Sequence, residues 1–474
     1  MQTESKTRLA LCILAVAAAM GLLADAFLRT TPWGINLTLW IVFLSAGLFF
    51  AKSAGGGTLR LGSVFLMAPI VVFGFCFAWR DSAFLQGLDL FAIILAAALV
   101  MTRQAAAFWA PTLGTLARSL FEFIGHCAAG FVHLIARDID WSGQRSAAVS
   151  ANAKSAAAGI LIALPLLAIF TLLFVRADAA FESFYYSALN IPVASHAVSI
   201  GLGAWMAGSY LRGVLVPSFV PEKPPTISKL QLGPTEINVA LGLLNLLFAT
   251  FVAVQLQYLF GNAKHVETTP GLTFSSYARR GFFELCTVAL LVLPILLAAD
   301  TLHTREKSKR FFRLQSCALT IFVLAIMASA LHRMGLYQHE YGLTELRWYT
   351  VAFMLWLAVV FALFCGTVLR NVGGLFIPSV LASGFAAIFI LHAVNPDRWI
   401  AETNLNNARA GRRFDAEYLR VLSADAAPIV LANSNLIPST ELENFIARQK
   451  QDLAESTDPR SWNYSRAQAA AALK

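Results

Sequence analysis

Stretches of about twenty consecutive apolar residues recur along most of this chain, and each is long enough to cross a hydrocarbon core of about 30 Å as a helix. Nothing else constrains the fold as strongly. A backbone in lipid must satisfy its own hydrogen bonds, and only helices or closed barrels do so. The alternating ten-residue pattern of a membrane barrel does not occur here. Charged residues make up only 13% of the 474, and hydrophobic residues 58%, where soluble domains carry about 25% charge. The sequence therefore predicts an all-α, polytopic helical membrane protein with about eleven transmembrane helices and a small helical C-terminal tail.

The spans are expected at 9–23, 34–51, 61–79, 84–101, 155–175, 196–216, 236–260, 280–299, 312–333, 348–369 and 375–394. The first is read as a retained helix, although Ala24-Asp25-Ala26 imitates a signal-peptidase site. This gives an N-terminal membrane bundle of six spans at 1–216, a Pro-rich linker at 217–235, a C-terminal bundle of five spans at 236–394, and an extramembrane tail at 395–474. In Pro111–Asp138 apolar residues recur every three or four positions, opposite Arg118, Glu122 and His133. That pattern fits a helix lying in the interface.

Charge orients the bundle. With an interfacial 111–138 and a cytoplasmic N-terminus, inside segments carry eighteen Lys and Arg and outside loops eight. If 111–138 crossed, the division would be twelve against fourteen. Cytoplasmic loops hold the excess of positive charge, so the tail is expected outside. The net charge of +9 then reflects loop asymmetry and not nucleic-acid binding. Six cysteines are scattered singly, with no C-x-x-C pair. Neither a zinc site nor a disulfide framework is expected, and no cofactor is implied.

Polar residues inside or beside spans are the candidate functional groups, because their burial in lipid is costly. Asp89 and Asn245 lie within spans, and Glu284 follows Arg280 by one helical turn. Glu284 reads either as a proton- or cation-handling carboxylate or as an ion pair anchoring a helix end. Tyr277, Arg279 and Arg280 suit an anionic headgroup or simply snorkel to the interface. Asn238, Gly242 and Asn245 share one helix face, the pattern of close interhelical packing. Glu345 and Arg347 open a later span and join a cluster with the 261–280 loop, or are merely solvated. Asp25 is a remote candidate for a catalytic acid. His332, His339 and Glu340 lack the spacing of a metal motif.

In the tail, Asn395 is placed to cap a helix whose first residue is Pro396, and Thr440 with Glu443 fits a capping box. Short helices are expected at 415–423, 425–433, 441–453 and 460–472.

The strings PTEINVALGLLNLLFATFVAVQLQYLFGN, RADAAFESF, SSYARRGFFEL, YGLTELRWYTVAFMLWLA, NPDRWIAETNL, YLRVLSADAAP and SWNYSRAQA resemble a family of bacterial multi-pass membrane proteins. It is catalogued as a domain of unknown function, four-one-seven-three, with a relative at four-one-five-three. The resemblance covers roughly residues 170–470; the first 150 match only in being hydrophobic. It implies a bacterial inner-membrane protein and supplies no catalytic residue. The reading is of a non-enzymatic sensing or scaffolding module in contact with the lipid bilayer. A protein partner of the envelope is expected to bind through residues 395–474. The alternatives are a transporter or lipid-handling protein with a polar pathway, and a membrane transferase acting on a lipid-linked substrate.

Overall fold

A computed structural model describes residues 2–55, 61–101, 113–140, 173–189, 192–216, 233–260, 282–302 and 309–474, with isolated positions between 159 and 171. Among these residues the chain is all helical. Among the described residues nine helices are long and apolar enough to cross a membrane. Their exposed side chains include Phe50, Leu243, Leu246 and Ile321, each at least 60% exposed. In a membrane helix such groups face lipid. The expected span at 155–175 falls largely outside the described residues. Ile35–Ala54 and Ala83–Met101 are among the nine; Ser63–Trp79 is a shorter apolar helix.

Contacts divide the chain into two compact units, Met1–Val220 with Lys450–Ala470, and Pro221–Gln449 with Ala471–Lys474. The first holds α1 (Gln2–Leu28), α2 (Ile35–Ala54), α3 (Leu61–Trp79), α4 (Ala83–Met101), α5 (Leu113–His133), α6 (Ala179–Leu189) and α7 (Pro192–Leu215). Its centre is the α1–α7 pair. Ala10, Ile13, Ala17, Met20 and Ala24 recur at steps of three and four, and all are buried. A methyl group added at Gly203 would stand 2.3 Å from the Ala24 Cβ, and one at Gly21 would stand 2.4 Å from the Ile200 carbonyl. Such backbone proximity suits lipid, where dispersion and not water exclusion drives helix association.

The two helices are antiparallel, and a carboxylate contact marks each end. At one end Asp25 meets His196 Nδ1 at 2.6 Å. At the other, Asp138 takes Lys6 Nζ at 3.1 Å and Arg212 Nε at 2.5 Å. Asp138 follows α5, which ends in a π-helical turn, Leu134–Asp138. The C-terminal half of α5 runs alongside α7. Trp205 Nε1 donates to the Cys127 carbonyl at 2.7 Å, and Ser209 Oγ accepts from the Phe131 amide at 3.0 Å. That carbonyl and amide ordinarily bond each other within a helix. Leu116–Asp138, expected in the interface, is itself among the nine helices of spanning length.

The second unit holds α8 (Pro234–Phe260), α9 (Phe282–Leu302), α10 (Lys309–Tyr341), α11 (Glu345–Thr367), α12 (Phe376–Val394), α13 (Pro396–Arg409), the short α14 (Ala427–Leu431) and most of α15 (Ser439–Glu455). The last helix, α16 (Tyr464–Ala472), lies mostly in the first unit. Helices α8 and α10 are parallel, joined by a polar seam. Asn245 Nδ2 donates to the Leu241 and Gln315 carbonyls at 2.8 and 3.1 Å, and Gln315 Nε2 to the Asn238 carbonyl at 3.1 Å. Gly242 leaves room for the Gln315 amide, which would lie 3.4 Å from an added methyl. The shared face of Asn238, Gly242 and Asn245 thus packs against Gln315. Further along, Gln255 Oε1 accepts from Ser329 and Arg333.

Asn395 caps α13 as expected, its side chain accepting from the Arg398 amide, with Pro396 at the first position. It also ends α12 in the left-handed region at φ 56°. The capping box at Thr440 does not form, because the helix already begins at Ser439. The stretch expected helical at 415–423 holds a 3-10 turn at Glu417–Val421, and 425–433 holds the end of the 3-10 turn Ala424–Ala426 followed by α14.

Removing the buried Asp138 carboxylate leaves Arg212, 12% exposed, without its partner. Asp138→Ala should cost about 2–3 kcal/mol, below the usual value for a buried pair because Lys6 is half exposed. A thermal melt in detergent, which should shift down by several degrees, checks this.

Candidate functional site

The tail closes over helix ends in both units, by the same chemistry. The last carbonyls of a helix have no partner within it, and side chains of the tail supply the donors. In the first unit Asn463 Nδ2 donates to the Phe77 and Arg80 carbonyls at 2.7 and 2.9 Å, where α3 ends. Ser465 Oγ donates to the Trp79 carbonyl at 2.9 Å. Arg466, 5% exposed, donates to the Trp33 carbonyl at 2.7 Å and pairs with Asp81 at 3.2 Å. The Ile35 amide donates to the Trp462 carbonyl at 2.9 Å. Gly34 allows this approach, since an added methyl would lie 2.3 Å from that carbonyl oxygen. Arg460 reaches the Ala26 carbonyl at 2.6 Å. That is the end of α1 opposite Lys6, about 30 Å away along a helix of this length.

In the second unit the target is the turn Gly342–Thr344 between α10 and α11. Asn404 grips Leu343 twice, accepting from its amide at 2.7 Å and donating to its carbonyl at 2.9 Å. Gly342 has φ +71°, and an added methyl there would lie 2.6 Å from Asn404 Oδ1. Glycine is required on both counts. Trp399 packs edge-on against Trp348, and the Tyr418 hydroxyl accepts from the Glu345 amide at 2.8 Å.

Beneath this cover lies a cluster of acids. Asp397, fully buried in the first turn of α13, accepts through Oδ2 from the Ser423 amide and hydroxyl. The same hydroxyl lies 3.3 Å from Asp425 Oδ2. The Glu345 carboxyl is a close electrostatic neighbour of Asp397. Burial raises Asp397, Ser423 opposes the rise, and the charges of Glu345 and Asp425 add to it, so the group is pushed up to about 7. Burial also raises Tyr418, with the Glu345 and Asp397 charges adding to the effect.

Arg347 takes another direction. Its guanidinium lies 4.3 Å from the Tyr337 ring centroid and donates to the Gly342 carbonyl at 2.8 Å and the Tyr341 carbonyl at 3.3 Å. It seals the C-terminus of α10 and is not simply a solvated surface charge.

The other residues picked from the sequence lie apart. Asn245 sits in the α8–α10 seam, and Glu284 is exposed in the first turn of α9. Asp89 is fully buried in α4, within 4.8 Å of the Cys76 sulfur. Tyr277, Arg279 and Arg280 fall outside the described residues. Asp25 is engaged by Arg29 and His196. Each of the six cysteines is a free thiol.

Sequence reasoning missed Asp397, Asn404, Tyr418, Ser423 and Asp425 as a group. The signal was present: all five lie in the strings NPDRWIAETNL and YLRVLSADAAP that carry the family resemblance, and the backbone groups of the turn they cover lie in YGLTELR.

These features define a polytopic helical membrane protein whose tail is folded onto its helix ends. Residues 67–433 match a domain of unknown function, DUF4153, and the chain belongs to that family. Of the two family numbers suggested by the resemblance, the second is therefore the one that matches. The match corrects the expected extent at both ends. It begins in α3 and takes in Asp89, and it stops before the SWNYSRAQA segment. No curated protein and no solved structure matches the chain.

Asn404→Ala would leave the Leu343 amide and carbonyl without partners and should cost about 2–3 kcal/mol. Limited proteolysis of the full chain should then cut within 410–433 faster than in the parent. The pH dependence has a definite sign. An Asp free in the unfolded chain titrates at about 3.9, and Asp397 in the folded chain at about 7. The folded state binds the extra proton between these values, so this contribution is full below pH ~4 and is lost as pH rises through about 7. Thermal melts from pH 5 to 8 should show the decline, and Asp397→Asn should flatten it.

Proposed function

We propose that this protein is a non-enzymatic sensing and scaffolding module of the bacterial inner membrane, with its N-terminus cytoplasmic and its motif loops and tail on the periplasmic face. The observation that carries the reading is the folded tail. Its polar residues are spent on satisfying backbone groups at helix ends and turns: Asn404 on Leu343, Asn463 on Phe77 and Arg80, Arg466 on Trp33. In the first unit this leaves Trp462 and Tyr464 each more than 40% exposed, and in the second unit Trp399 is likewise exposed. Exposed aromatic residues of this kind suit a protein partner.

Sidedness draws support from two sources. Positive charge favours a cytoplasmic N-terminus, and Arg460 docks at the end of α1 far from Lys6. A cysteine placed at exposed Glu455 in a cysteine-free background should react with an impermeant reagent once the outer membrane is permeabilised. Labelling only after lysis would reverse the orientation. Deleting 395–474 should abolish copurification of a specific envelope protein; the same partners with and without the tail would refute scaffolding through it.

One observation favours a transporter or lipid-handling reading. In the α8–α10 seam the buried Asn245 Oδ1 and Gln315 Oε1 have no hydrogen-bond partner among the described residues. Water in a polar pathway would satisfy them. Solvent-accessibility labelling of cysteines at 245 and 315 separates this reading from a sealed packing contact.

A further inference from the structure

We propose that Glu345 and Asp397 form a proton-binding site, in which one proton shared by the two carboxyl groups holds the start of the tail on the α10–α11 turn, and that its loss loosens this contact. The proposal deepens the sensing function above, and rests on it, by naming the signal as proton concentration.

The geometry leads there directly. Asp397 is fully buried, and Ser423 satisfies only Oδ2. Oδ1 is enclosed without a donor among the described residues. The Glu345 carboxyl is the side chain from α11 that interacts with this buried carboxyl group. Ionised carboxylates are acceptors only, so two of them bond each other only when one carries a proton. Like charges sharing a site favour that single proton strongly.

The surrounding charges act in the same direction. Glu345 faces Asp397 from α11, and Asp425 faces it from the 3-10 turn Ala424–Ala426. Tyr418, on the 3-10 turn Glu417–Val421, is a neutral hydroxyl that feels both Glu345 and Asp397. Arg448 from α15 acts on Glu345, and Arg347 acts on Tyr418. The charges acting on Asp397 are therefore negative, while the cations stand on the Glu345 side. This arrangement favours a single proton held between the two carboxyl groups. It also disfavours a metal ion, which needs several free oxygens. Here Oδ2 is taken by Ser423, and Arg448 would repel the ion.

The mechanical consequence follows from what the pair joins. Glu345 begins α11, and Asp397 begins α13, whose Asn404 grips Leu343. Removing the proton sets two anions against each other across that seam, with Asp425 as a third. The segment 396–433 is then less firmly held.

Hydrogen exchange of the full chain in lipid nanodiscs, corrected for intrinsic rates, tests this. Protection of peptides within 396–433 should fall at least tenfold as pH rises from 5 to 7 and level off by pH 8, as linkage requires. Asp397→Asn, which keeps the shape and removes the proton, should abolish the step. If that variant does not fold, Glu345→Gln serves. It places an amide donor beside the Asp397 carboxylate and should move the step to lower pH. A flat parent profile would overturn the proposal, as would a step that survives Asp397→Asn. Protection restored at pH 8 by added Na⁺ or Ca²⁺ would also overturn it, in favour of a cation. None of these outcomes depends on sidedness or on a partner, so scaffolding stands or falls separately.

Discussion

The carbonyl oxygens at the ends of the membrane helices are the groups on which the rest of this structure depends. A helix leaves its final carbonyls without partners, and near lipid the cost of leaving them so is high. This chain answers with side chains brought from far along the sequence. Asn463 and Ser465 serve the end of α3; the end of α10 is served locally, by Arg347 at the start of the next helix. Asn404 serves the turn that follows α10, binding both polar groups of one peptide residue. The tail is thus part of the folding of the membrane helices and not an appendage to them.

That arrangement buries groups that would otherwise be solvated. Covering the α10–α11 turn with α13 takes Asp397 wholly out of water, close to two other acids. A buried carboxyl group near like charges holds its proton to higher pH. The same contact that satisfies the turn therefore creates a group that titrates near neutrality. Stability and responsiveness arise here from one packing event, which ties the structural role of the tail to its proposed sensory one.

Much of this was readable in the sequence, and the limits have physical causes. Span length and the Asn395-Pro396 cap depend on adjacent residues, and both appear in the structure as expected. The face shared by Asn238, Gly242 and Asn245 is set by helical period alone, and it packs. The acids around Asp397 come from α11, α13 and the segment 423–425, so no window of sequence holds them together. Arg347 looked like a neighbour of Glu345 because two positions separate them; on a helix such residues diverge, and the guanidinium turns back to α10. The family match showed a different limit. Hydrophobic stretches such as α3 and α4 carry little distinctive pattern to the eye, yet they belong to the family domain.

What the sequence by itself determined is the class: an all-helical membrane protein, because apolar run length and hydrogen-bond satisfaction in lipid leave no other solution. It also determined where polar residues interrupt that pattern. Only the tertiary structure decided which interruptions matter together. Glu284 lies exposed, Asn245 lies in a packing seam, and Asp397, which no sequence pattern singled out, is the most buried acid of its cluster. Burial and proximity are properties of packing between segments distant in the chain. Local sequence fixes the helices and not the faces they turn to one another.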